Sequence, residues 1–159
     1  MPYIYTAFHT AHTDGQPVMA PVSFADLKDQ ALRAEEQAFM LGTDILVVPA
    51  FAKNPSLPKG IWEEMSLIKG DTKGKYQSTL QERGGAIIPV GKVIQNVNEN
   101  SFDPLTLIVC LDNEGKAEGS LYWDKGEGWE FQNGDYKQFS FEAGLQVEPT
   151  LTVKLVDSK

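Results

Sequence analysis

The sequence predicts a mainly β fold, an antiparallel β-sandwich with one or two N-terminal helices, and three observations carry this. Beyond residue 44 the apolar residues come in short runs rather than long helical stripes. Those runs are separated by Gly and Asn/Asp punctuation that suits hairpin loops: Lys69-Gly70-Asp71, Asp112-Asn113-Glu114-Gly115 and Asn133-Gly134-Asp135. Helical spacing is confined to the residues before Gly42.

The first element is a helix over residues 2–12, where Tyr3, Ile4, Ala7, Phe8 and Ala11 recur at helical spacing. Pro2 suits its first turn and Asp14-Gly15 its stop. Isolated helices shorter than about 12 residues are marginal in water, so this one needs a surface to pack on. A helix that starts at the second residue with no preceding cap suggests a boundary cut from a larger protein. A second helix is predicted over residues 26–40, with Leu27, Ala31, Ala34 and Ala38 on one side and Lys28, Asp29, Arg33, Glu35 and Glu36 toward water.

Strands follow. Residues 45–50 form a continuous apolar run, 61–68 a mixed one and 75–80 a polar, edge-like one. The paired glycines Gly84-Gly85 mark a tight turn, and the strand 86–90 after it must be brief because Pro89 cannot donate to a sheet ladder. Residues 105–111, 118–123 and 129–131 come next. Over 136–143, Phe139 and Phe141 face one way and Ser140 and Glu142 the other, and Leu151, Val153 and Leu155 alternate with Thr152 and Lys154. Close turns between short strands indicate antiparallel sheets packed as a sandwich.

At 159 residues the chain is long enough for one well-buried core. A net charge of −8 with no basic run excludes nucleic acid as a partner. No apolar run approaches the roughly 20 residues that cross a bilayer, so no membrane span is predicted in this segment. Met1-Pro2-Tyr3 lacks the basic start and apolar core of a secretory signal. The single cysteine, Cys110, lies within Leu107-Ile108-Val109-Cys110-Leu111 and reads as a buried, inert thiol. A free cysteine favours a reducing, cytoplasmic compartment.

Spacing alone selects no catalytic pair from the 22 acidic residues, which read as solvated charge. No catalytic residue, cofactor site or metal site is therefore predicted. His9 and His12 are three apart on the first helix but lack a third ligand. Asp112-Asn113-Glu114-Gly115 departs from a calcium loop after its glycine and reads as a turn. Among the aromatic residues Trp62, Tyr122, Trp123, Trp129, Phe131 and Tyr136, core packing accounts for most. Leu121 and Trp123 share a side opposite Tyr122, so at least one of Tyr122 and Trp123 is expected to be buried. Trp123 and Trp129 are the candidate carbohydrate contacts, since sugar rings stack on exposed aromatic faces.

Several segments, in order, carry a family resemblance. They are Pro2-Tyr3-Ile4-Tyr5-Thr6-Ala7-Phe8-His9-Thr10-Ala11-His12, Gly15-Gln16-Pro17-Val18-Met19, Gln37-Ala38-Phe39-Met40-Leu41-Gly42 and Ile45-Leu46-Val47-Val48-Pro49. After Leu57-Pro58-Lys59-Gly60-Ile61-Trp62 come Gln81-Glu82-Arg83-Gly84-Gly85-Ala86-Ile87-Ile88-Pro89-Val90, Ala117-Glu118-Gly119-Ser120 and Leu121-Tyr122-Trp123-Asp124-Lys125-Gly126, running on to Trp129-Glu130-Phe131. Together they resemble the region behind the catalytic barrel of glycoside hydrolase family 31, which contains α-glucosidases and their relatives.

The resemblance implies that residues 1–15 are the last barrel helix and 16–159 a C-terminal β-sandwich module. The family usually divides this region into a proximal and a distal sandwich, here near residues 98–103. Pairing of the last strands with earlier ones argues against a firm boundary there, because a few terminal strands cannot bury two sheet faces. The catalytic aspartates of the family lie on barrel strands upstream, so the chain alone is expected to be inactive and to support a barrel that hydrolyses α-glucosides with retention. Its partners would be that barrel and, through Trp123 and Trp129, an α-glucan or oligosaccharide. Without the barrel, the apolar Tyr3, Ile4 and Phe8 predict self-association or a mobile first helix. Two positions depart from the family pattern: Ala20 stands where an arginine is usual, and Lys125 where an acidic residue is. An autonomous carbohydrate-binding or interaction module is the alternative reading, and a small complete enzyme a third.

Overall fold

The computed structural model describes residues 2–66, 74–94, 104–145 and 151–158. Helix α1 (Pro2–Asp14) leads into β1 (Met19–Pro21), a 3-10 turn (Val22–Phe24), the single-turn helix α2 (Gln30–Arg33), β2 (Phe39–Leu41) and β3 (Ile45–Val48). The chain continues through β4 (Trp62–Met65), β5 (Thr79–Arg83), β6 (Ala86–Val90), β7 (Thr106–Cys110) and β8 (Lys116–Trp123). A second 3-10 turn (Glu130–Asn133), β9 (Lys137–Leu145) and β10 (Leu151–Ser158) follow.

Among the described residues the strands form two five-stranded sheets, in the orders β1-β2-β3-β5-β4 and β10-β9-β8-β6-β7. Every pairing is antiparallel except β6 with β8, which meet in parallel where Ala86 lies opposite Glu118. The fold is the predicted mainly β, sandwich-like one, with this mixed pairing added.

Side-chain alternation along the strands makes the layers. In β3, Ile45 and Val47 pack with Met65 of β4 and with Ala86 and Ile88 of β6, filling the space between the sheets. Leu46 points the other way, into a cluster with Ala20, Val22, Leu32, Ala38 and Met40. Ile87 of β6 likewise turns from the inter-sheet layer to join Ala117, Leu121, Phe141 and Ala143 on the far face of the second sheet. Residues buried on both faces read as continuous apolar runs, which is why the runs 45–50 and 86–90 point to strands, the first of which ends at Val48 before Pro49.

The strand link between the sheets turns on Gly84 and Gly85. The Gly84 amide donates to Ile61 O and the Gly85 amide to Cys110 O, each at 2.8 Å. Gly85 has φ +91, and a Cβ on Gly84 would meet the Ile61 Cβ at 2.6 Å.

Three expectations need correction. The helix over 26–40 shrinks to Gln30–Arg33, started by the Asp29 carboxylate accepting the Ala31 and Leu32 amides. It stops there because the Glu35 carboxylate takes the Gln37 and Ser56 amides, each at 2.6 Å, and Phe39–Leu41 extends to pair with β1 and β3. Tertiary pairing overrides the helical spacing of the alanines. The polar run 75–80 is not an edge: the strand is Thr79–Arg83, and it lies between β3 and β4. Residues 129–131 form no strand: Trp129 caps the 3-10 turn Glu130–Asn133, which is preceded by Gly126 and Gly128 and closed by Gly134, all three glycines with positive φ. The loop 69–71 and the boundary region 98–103 lie outside the described residues.

The first helix forms, over Pro2–Asp14. Its buried residues are Pro2 and Thr6, while Phe8 is 61 % exposed. Thr6 Oγ1 donates to Pro2 O and accepts the Tyr122 amide of β8, each at 3.0 Å, and Tyr3 reaches the β2–β3 turn. Helix α1 thus touches both sheets through its hydroxyl-bearing side and turns Phe8 outward.

Candidate functional site

Three groupings bring polar chemistry together. The first is the pair Glu82 and Asp44. Glu82, in β5, is opposite Ile45 and Glu63 and is 2 % exposed, on the same face as Leu80 and hence in the inter-sheet layer. Burial first, then the charge of Asp44, pushes its carboxyl up to about 7 against an ordinary 4.5, although the Ile88 amide donates to it. Its Oε1 has no partner among the described residues. Asp44 is fully committed: Arg83 holds its Oδ1 at 2.7 and 3.1 Å, and the Tyr3 hydroxyl lies 3.4 Å from Oδ2. Two-carboxylate glycoside hydrolysis needs open space for a sugar between the groups. Glu82 is sealed between sheets, so this pair is an element of the fold and cannot flank a substrate.

The second grouping docks α1 on β8. The Asp124 carboxylate accepts the Tyr5 hydroxyl at 2.6 Å, the Tyr122 hydroxyl at 2.8 Å and the Gly126 amide at 2.7 Å. Burial alone would raise this carboxyl, but the two hydroxyls and the amide outweigh it and hold it below the usual carboxylate range. Burial, then Asp124, pushes Tyr5 up to about 12 and raises Tyr122 as well. His9 stacks on Tyr122 at 3.8 Å and 13°. Burial first, then His12, lowers the His9 pKa. Beside this network lies a cavity of about 200 Å³ bordered by Tyr5, Asp124, Glu127, Glu130 and Asp135, with Lys125 paired to Asp135.

The third is aromatic. Trp129 is 73 % exposed, with its ring 6.3 Å from Phe131. Trp123 is 38 % exposed, with Lys137 Nζ 5.2 Å over its ring, and it borders a cavity of about 360 Å³ with Leu121, Phe139 and Phe141. As the alternation required, one of the pair is buried: Tyr122. The two tryptophans sit on different elements, Trp123 at the end of β8 and Trp129 at the cap of the second 3-10 turn.

The remaining candidates fall into place singly. His9 faces Tyr122 and His12 the edge of Phe131, so the two imidazoles have different partners. Among the described residues no three His, Cys, Asp or Glu side chains group to hold a metal ion. Asp112 takes the Glu114 and Lys116 amides at 2.8 and 2.9 Å, which makes its segment a turn. Cys110 is buried, and burial followed by Glu82 raises its thiol. Ala20 is buried at the edge of a cavity of about 560 Å³ that Trp62, Arg83, Asp26 and Asp29 also border.

The structure superposes on a family 31 α-glucosidase from Bacteroides thetaiotaomicron with a TM-score of 0.88 and 54 % identity, over 99 % of this chain and 26 % of that one. Residues 15–90 match the Glycosyl hydrolase family 31 C-terminal domain. This chain belongs to glycosyl hydrolase family 31. Curated family 31 relatives agree: an uncharacterised family 31 glucosidase of Schizosaccharomyces pombe is 33 % identical over 79 % of this chain, and a probable maltase-glucoamylase 2 of Homo sapiens is 30 % identical over 99 %. The chain spans 14 % and 7 % of those two family 31 proteins respectively.

Sequence reasoning missed the Tyr3–Asp44 and Glu82 contacts. Glu82 sits in Gln81-Glu82-Arg83 before two glycines, which reads as a turn; only the two-residue step from Leu80 places it on the buried face. Asp124 lies inside a motif that carried the family resemblance, but nothing local signals that two tyrosines converge on it.

Proposed function

We propose that this chain is the non-catalytic C-terminal β-sandwich of an α-glucosidase-like hydrolase and that it braces the catalytic barrel. The parent enzyme then hydrolyses α-glucosidic bonds with retention, through carboxylates carried on the barrel. The observation behind this reading is the orientation of α1. The helix holds its own domain with Tyr3, Thr6 and His9 and leaves Phe8 61 % exposed, an apolar side chain free for a further domain to cover. The short share of each family 31 relative that the chain spans supports it as well.

Two measurements test the reading. The purified chain is expected to show no turnover of p-nitrophenyl α-glucoside and to self-associate in light scattering. In the full-length parent, Phe8→Asp is expected to lower thermal stability and turnover together. Turnover by the chain alone, or a parent indifferent to Phe8→Asp, overturns it.

A second reading, an autonomous carbohydrate-binding module, draws on the exposure of Trp129 beside Phe131. Calorimetric titration with malto-oligosaccharides tests it. Binding that Trp129→Ala and Trp123→Ala abolish supports this reading; no binding, or binding unchanged in both variants, ends it.

A further inference from the structure

Glu82 is a buried acid at the junction of the two sheets. It precedes by two residues the Gly84-Gly85 turn, whose amides bond to Ile61 O on one side and Cys110 O on the other, while Gly85 O accepts the Glu118 amide. A change in the space that Glu82 occupies therefore acts on the link between the layers. Around its side chain the packing is apolar: Ile45, Val47, Met65, Ala86 and Ile88 form the layer, with Leu80 against it.

Among the described residues no neighbour offers a compensating cation. From the β2–β3 turn comes Asp44, from β4 the cross-strand Glu63 and from β7 the Cys110 thiol. Strand β6 contributes Ala86 and Ile88, which do not titrate, and Glu118 of β8, in register with Ala86, is exposed. Tyr3 of α1 reaches Asp44 rather than Glu82. Arg83 is next in sequence, but its guanidinium is paired to Asp44. A carboxylate here would have one backbone amide, from Ile88, and an orphan oxygen, facing other acids. A neutral carboxyl has far less to lose from such surroundings.

We propose that Glu82 is a proton-operated latch between the sheets: protonated, it packs as a core side chain and keeps the β5–β6 turn closed, and ionised, it loosens that turn. Burial and Asp44 place its titration at about 7, against an ordinary 4.5. Between those values the folded chain binds the extra proton, so stability falls as pH rises through this window and stays low above it.

The test is thermal unfolding of the wild-type chain and Glu82→Gln from about pH 5 to about pH 9, together with infrared titration of the protonated carboxyl band. The wild-type melting temperature is expected to drop several degrees relative to Glu82→Gln as pH rises from about 5 to about 7 and to level off above it, and the band to persist to neutral pH in the wild type only. Should Glu82→Gln fail to fold, the wild-type infrared titration alone decides. Parallel melting curves, or no protonated carboxyl at neutral pH, overturns the proposal.

Discussion

The Tyr3 hydroxyl accepts a hydrogen bond from the Asp44 amide at 3.1 Å, across 41 residues of sequence. The same oxygen donates to Leu41 O at 3.1 Å. One phenol therefore satisfies both a donor and an acceptor of the β2–β3 turn and ties α1 to the first sheet. Tyr3→Phe leaves that backbone pair without its partner. An expected loss of about 1–2 kcal/mol is measurable as a lower urea midpoint, with amide exchange in α1 accelerating more than in β8.

Gly42 sits under the same ring with φ +61, and a Cβ there would collide with the Tyr3 hydroxyl. Gly42→Ala combines left-handed strain with that collision, for an expected cost of about 1–3 kcal/mol. In a Tyr3→Phe background the cost shrinks, because the colliding oxygen is gone, and a double-mutant cycle reads the difference as a coupling energy.

His9 stacks on Tyr122, and burial lowers its pKa from the ordinary 6.5. The folded chain then binds fewer protons than the unfolded one below 6.5, so this contribution is present above that value and lost as pH falls through the lowered one. His9→Gln is expected to flatten the acid side of the stability curve. Equal acid slopes in the two proteins sink the idea.

Cys110 is 6 % exposed, and burial followed by Glu82 raises its thiol. Thiolate is the reactive species. A thiol probe is therefore expected to label the folded chain no faster than it unfolds, and reaction at the rate of free cysteine contradicts this.

The strands with apolar side chains on both faces, Ile45–Val48 and Ala86–Val90, are readable because each side chain there reports burial directly. The helix over 26–40 is not, since Ala31, Ala34 and Ala38 carry helical spacing while the decisive contact, Glu35 with the Ser56 amide, joins residues 21 apart. Much the same holds for polar contacts. Tyr3 with Asp44, and Tyr5 with Asp124 across 119 residues, are products of the tertiary fold that no local pattern announces. His9 and His12 looked like a pair by spacing, yet each is claimed by a different ring.

Strand β6 gives Ala86 and Ile88 to one hydrophobic layer and Ile87 to another. Neither layer can be dismantled without stripping the other of a wall, so the two halves of the sandwich are expected to melt as one cooperative unit, with β6 amides exchanging only on global opening. A cut or insertion at the glycine turn would therefore sever a shared wall instead of separating two modules.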